Sequence, residues 1–137
     1  MKTYLDSSAF AKRFVDEAGS DKVEDACALA SELGLSVICV PEIASALNRR
    51  RRERSLTKDQ YVEAKRCLID DVRDASIINL TVPVIGSAIA VLEASPIRAM
   101  DALHIACALE WGAQLFVSSD KKQLTAAKRA GLTTRKV

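Results

Sequence analysis

Short apolar runs alternate with longer stretches of helical spacing along the whole chain, and this alternation restricts the fold more than any other feature of the sequence. Runs suited to parallel strands occur at Thr3–Leu5, Ser36–Val40, Ile77–Leu80 and Leu115–Val117, with a weaker one at Thr133–Val137. Between them, Val23, Ala26, Cys27, Ala30 and Leu33 form an apolar helical stripe, opened by an Asp21-x-x-Glu24 capping pattern and closed by Gly34. Tyr61, Ala64, Leu68 and Val72 form another, behind a Thr57-x-x-Gln60 box, and Gly112 and Gly131 stand where left-handed glycines end helices. Parallel neighbours need crossover connections, so the pattern predicts an α/β fold in which helices cover both faces of a central, mostly parallel sheet. No linker, repeat or low-complexity segment divides the chain, and residues 1–137 are expected to form one domain.

Composition excludes more than it selects. A net charge of +2 is too mild to mark a nucleic-acid binder by itself, and the only charge run, Arg49-Arg50-Arg51-Arg52-Glu53-Arg54, falls at the end of a helix expected to begin near Pro41. Cys27, Cys39, Cys67 and Cys107 contain no Cys-x-x-Cys pair and sit among apolar neighbours, which predicts buried, reduced thiols in a cytoplasmic protein. Only Thr3, Tyr4 and Leu5 precede Asp6 near the N-terminus, too little for the apolar region of a signal peptide. The uncharged stretch Ala75–Leu92 is long enough to be weighed as a membrane span. It changes midway from a β-branched run to helical spacing at Val84, Ala88, Val91 and Leu92, which predicts a buried strand followed by a core helix and no membrane association.

In open parallel sheets, ligands bind beyond the carboxyl ends of the strands, so acids just after apolar runs are the first candidates for chemistry. Asp6 follows Thr3–Leu5, Glu42 follows Ser36–Val40 and Pro41, and Asp120 follows Leu115–Val117 after two serines. Asp101 stands in the first turns of the apolar helix through Leu103, Ile105, Ala106 and Leu109, which brings it to the same edge. Each alone has an ordinary alternative as a helix cap or a partner of a helix dipole. Together they would repel unless protonated or joined by a cation, and oxygen ligands without cysteine or histidine suit Mg2+ or Mn2+. Metal-assisted phosphodiester hydrolysis is the chemistry such a cluster supports.

At these residues the sequence resembles the PIN-domain nucleases, and among them the VapC-type toxins of type II toxin–antitoxin systems. The resemblance rests on Tyr4-Leu5-Asp6-Ser7-Ser8-Ala9 with Lys12, Val40-Pro41-Glu42-Ile43 with Ala46-Leu47, Asp101-Ala102-Leu103-His104-Ile105-Ala106, and Phe116-Val117-Ser118-Ser119-Asp120. It implies a PIN-like α/β/α sandwich, Mg2+- or Mn2+-dependent cleavage of RNA, and inhibition by a cognate antitoxin. It assigns Asp6, Glu42, Asp101 and Asp120 to the metal-binding catalytic site, with Ser118 and Ser8 orienting the cluster or a water. Many relatives carry a further acid two positions after the last one; Lys122 stands there, which weakens the case for a second metal. Together with apolar helical surfaces beyond one core stripe, the resemblance also suggests a homodimer.

His104 is the only histidine and lies one helical turn after Asp101; it is expected to be a hydrogen-bonded structural residue. No Gly-x-Ser-x-Gly elbow supports a serine hydrolase, Ser8 stands where an Asp-x-Asp phosphatase needs its second acid, and the scattered glycines form no phosphate loop. The run Arg49, Arg50, Arg51 and Arg52 extends from the proposed site and is a candidate for RNA or antitoxin contact, with at most about two of the four facing one ligand. The alternative function is a non-catalytic module of the same fold that binds RNA or a protein partner.

Overall fold

A computed structural model describes residues 1–137. The strand β1 (Lys2–Leu5) lies in the middle of a five-stranded sheet, flanked by β2 (Glu32–Ser36) and β4 (Leu115–Ser118), with β3 (Ser76–Ile78) and β5 (Thr134–Lys136) at the edges. Every pairing is parallel, and Tyr4 stands opposite Gly34 on one side and Phe116 on the other. Alternation along the strands then separates two cores. Tyr4 and Phe116 point toward α5 (Val82–Ala94), α6 (Ala99–Trp111) and α7 (Lys121–Arg129), with their rings stacked 5.5 Å apart. Leu5, Leu115 and Val117 point the other way, toward α1 (Ser7–Phe10), α2 (Ser20–Leu29), α3 (Cys39–Arg52) and α4 (Lys58–Arg73). The architecture is an α/β/α sandwich around a wholly parallel sheet.

Several local expectations are corrected. The second strand is not Ser36–Val40 but Glu32–Ser36, and Cys39 and Val40 already belong to α3. Gly34 therefore ends no helix. It lies inside β2 because the Trp111 ring covers it: a Cβ there would come within 2.6 Å of the indole Cζ3. The helix before it stops at Leu29 with Ala30 extended, and it starts at a left-handed Gly19 with no side-chain cap, so Asp21 and Glu24 form no box. Thr57 and Gln60 do form theirs, with reciprocal bonds of 3.1 and 2.9 Å. Gly112 is left-handed at the end of α6, and Gly131 is left-handed just beyond α7.

The uncharged stretch divides at Asn79–Thr81, where the Thr81 hydroxyl accepts the Val84 N–H and Pro83 opens α5. No helix is long and apolar enough to cross a membrane. This helix is a core helix on one side only: Val84, Ala88 and Val91 are buried, whereas Val82, Ile85, Ile89 and Leu92 are 86%, 44%, 52% and 39% exposed. All four cysteines are free, but only Cys39 and Cys107 are buried; Cys27 and Cys67 are half-buried.

Trp111 ties the sheet to α6 at the edge opposite the acids, where the Lys2 ammonium donates to its carbonyl at 2.7 Å and sits 4.4 Å from its ring centre. Gly34→Ala should destabilise the protein by about 1–3 kcal/mol through overpacking. In a Trp111→Ala background most of that loss should vanish, which a double-mutant cycle in denaturant reads directly. Equal losses in both backgrounds would refute the steric account.

Candidate active site

From β1 the chain builds outward through β2 and β3, then returns to the other side of β1 to lay down β4 and β5. The direction reverses between β1 and β4, and a crevice opens beyond the carboxyl ends of strands at such a point. Asp6 and Ser118 face each other there. The Asp6 N–H extends the ladder by donating to the Val117 carbonyl at 3.1 Å, which fixes the carboxylate at the strand end.

Asp6 is 2% exposed, and its carboxylate is held from three sides. Ser118 Oγ donates to Oδ2 at 2.6 Å, while Ser8 Oγ and the Ala9 N–H donate to Oδ1 at 2.7 and 2.9 Å. The last of these makes Asp6 the N-cap of α1, so the ordinary role holds alongside its placement in the crevice. Burial pushes its pKa up; the hydrogen bonds from Ser118, Ala9 and Ser8 oppose that shift without cancelling it. Ser118 Oγ also accepts the Asp120 N–H at 3.0 Å, so one hydroxyl joins the turn carrying Asp120 to Asp6. Asp120 caps α7 by accepting the Lys122 and Gln123 N–H groups at 2.8 and 3.2 Å.

Glu42 lies in the first turn of α3, on the other side of Asp6. Its Oε1 accepts from Ser7 Oγ at 2.7 Å and is paired with His104 Nε2 at 2.6 Å; Oε2 has no hydrogen bond from the protein. Burial raises the Glu42 pKa, but the bonds from His104 and Ser7 outweigh it and leave the group below its ordinary value. Asp101, in the first turn of α6, meets Arg98 at 3.4 Å, and its backbone carbonyl accepts from Gln123 Nε2 at 3.2 Å. The sequence marks His104 as structural but gives no sign that Ser7, directly after Asp6, meets Glu42 or that Tyr4 meets His104, and Gln123 carries no local signal.

The acids thus share one edge of the sheet, but no three acidic, histidine or cysteine side chains stand close enough to hold one ion as placed. Their oxygens suit a hard cation, and Mg2+ commonly takes only one or two carboxylates, completing its shell with water and phosphate oxygens. The donor set fits such an ion rather than a closed protein cage. Cys39 offers no competing thiolate, because burial pushes its thiol up to about 12. Glu42 also separates two cavities. One of about 310 Å3 includes Ser7, Ser8, Ser119 and Arg50, and the other of about 370 Å3 includes Ser45, Arg49 and Met100.

The PIN domain model matches residues 3–129. The chain is 33% identical over 135 residues to the Mycobacterium tuberculosis proteins Ribonuclease VapC45 and Ribonuclease VapC49, covering 93% of this chain and 90% of each relative. Among solved structures, the M. tuberculosis toxin VapC20, described as cleaving the sarcin–ricin loop, superposes with a TM-score of 0.72 at 18% identity over 98% of this chain and 99% of that one. VapBC2 of Rickettsia felis, solved on a promoter DNA fragment, gives 0.70 at 14% identity over 100% and 99%. These two likenesses concern the fold, and the closer sequence relatives and the family match carry the assignment: the chain belongs to the PIN-domain family.

Proposed function

We infer that this chain is an endoribonuclease that hydrolyses RNA phosphodiester bonds with a divalent cation, Mg2+ or Mn2+, and that it is the toxin of a toxin–antitoxin pair. The observation that carries the reading is the match to two relatives named as ribonucleases across nine-tenths of the chain, and the position of Asp6 and Asp120 just after the two strands that flank the switch point supports it. Several neighbours of the same fold are toxin–antitoxin complexes, which supports a cognate antitoxin as partner.

In this reading one or two of Asp6, Glu42, Asp101 and Asp120 would bind the cation directly and the others through its waters, and Ser8 and Ser118 keep the Asp6 carboxylate oriented. When bound, the ion supplies Lewis-acid polarisation of the phosphodiester and a hydroxide-like nucleophile. Glu42 Oε2 is the oxygen left open on that side of the site. Asp101→Asn should keep the fold but sharply reduce RNA cleavage, and chelation should abolish cleavage by the unaltered chain. Undiminished cleavage in pure, folded Asp101→Asn would remove that residue from the site. RNA binding without cleavage in any added metal would favour the non-catalytic module.

The arginines face different ways. Arg49 opens to one of the two cavities beside Glu42 with no side-chain hydrogen bond of its own, Arg50 lines the other but is bound to Glu17 at 2.9 Å, and Arg51 lies over the Tyr61 ring at 5.2 Å. Arg49 is therefore the favoured phosphate contact. Arg49→Ala should weaken RNA binding and flatten its salt dependence by about one phosphate contact, while Arg51→Ala leaves both nearly unchanged. Equal slopes for all four single Arg→Ala variants, from Arg49 to Arg52, would sink this assignment.

The exposed stripe of α5 supports a homodimer, since Val82, Ile85, Ile89 and Leu92 recur on one helical face without a charge among them. Ile89→Glu should leave the fold intact and convert a dimer to a monomer in light scattering. An unaltered chain that is monomeric at every concentration would contradict the proposal.

A further inference from the structure

His104 is buried in α6, its side chain 3% exposed against 32% for Glu42, and it makes contacts at both ring nitrogens. Tyr4 OH lies 2.7 Å from Nδ1, and Nε2 lies 2.6 Å from Glu42 Oε1. Tyr4 is wholly buried, and its phenolic hydroxyl can donate as well as accept a hydrogen bond. Nδ1 is its side-chain partner; if Nδ1 donated instead, the phenolic proton would be left in the core without that acceptor. The phenol therefore donates to Nδ1, which puts the imidazole proton on Nε2, facing Glu42. Ser7 Oγ donates to the same carboxylate oxygen at 2.7 Å.

We propose that His104 is a positioning residue for Glu42: it passes the orientation fixed by Tyr4 in the core to the carboxylate, commits Oε1 to the protein together with Ser7, and presents Oε2 to a divalent cation. This rests on the reading of Glu42 as a cation-holding acid. The chain Tyr4–His104–Glu42 runs from the central strand through α6 to α3, so three elements set the direction of one oxygen. The side chain of Asp101 belongs to the first turn of the same helix, and α6 thereby places one acid directly and another through its histidine. Carboxylate ligands commonly depend on such partners, whose removal lowers metal affinity by about 10- to 100-fold.

The test measures Mn2+ binding by calorimetry, RNA cleavage against Mn2+ concentration, and the 15N shifts of the His104 ring. The variants are His104→Leu, His104→Gln, Tyr4→Phe with His104→Leu, and Glu42→Gln. The double variant removes the phenol that His104→Leu strands in the core, so it guards against a loss that merely reflects misfolding. The folded double variant should bind Mn2+ about 10- to 100-fold more weakly and recover much of its cleavage at high Mn2+, and His104→Gln should restore part of the affinity by donating to Glu42. The ring of the unaltered chain should show Nε2 protonated and Nδ1 bare. Wild-type affinity in the folded double variant, or the opposite tautomer, overturns the proposal while leaving the function standing if Glu42→Gln still loses Mn2+. Wild-type Mn2+ binding by Glu42→Gln overturns this proposal together with the role given to Glu42 under the function.

Discussion

A carboxylate taken out of water at the end of a central strand has to be met by donors from everything packed around it. Asp6 is in that position, and the surrounding arrangement follows from its requirement. Ser118 must end β4 opposite it, the first turn of α1 must bring Ser8 and the Ala9 N–H back to it, and the turn after β4 must hang on the same serine through the Asp120 N–H. The result is a site whose inner wall belongs to the sheet rather than to loops. Strand ends vary less in position than loops do, which suits a centre where small displacements cost rate.

The outer wall is built differently. Glu42 stands on a helix, half open to solvent, and its setting comes from side chains rather than from a strand ladder. The balance at the two acids also differs: burial outweighs the hydrogen bonds at Asp6 and raises it, whereas at Glu42 burial is outweighed by the bonds from His104 and Ser7 together, which lower it. Two carboxyl groups pushed in opposite directions at one edge need not compete for the same proton.

Much of this was legible in the chain because strands and their first polar residues are local. Thr3–Leu5 is an apolar run that ends at Asp6, Leu115–Val117 is one that ends two serines before Asp120, and the parallel topology then places those acids at one edge. Glu32–Ser36 was not legible, because Gly34 has the local features of a helix stop. Its real function, making room for Trp111, depends on a residue remote in sequence. The exposed side of α5 was hidden for a related reason: a helix apolar all round does not say which side finds neighbours. The arginine run announced its charge but not its company, and only the fold shows Arg50 turned to Glu17 and Arg51 to Tyr61. The partners of the acids escaped for the same reason, since Tyr4, Ser7 and His104 meet only when the chain closes.

The two ends of α6 do separate jobs, with Asp101 and His104 at the first and Trp111 clamped by Lys2 and Gly34 at the last. The stretch between them therefore works as a gauge block of fixed length. One residue added or removed there would turn the histidine about 100° away from Glu42 while the indole stayed anchored. The turn after the helix is no more forgiving, because Gln114 exchanges hydrogen bonds with Lys2 at both its backbone and its side chain. A change of length near α6 would therefore be taken up before the helix, around Ser95–Arg98, where it leaves the distance from anchor to acid unaltered.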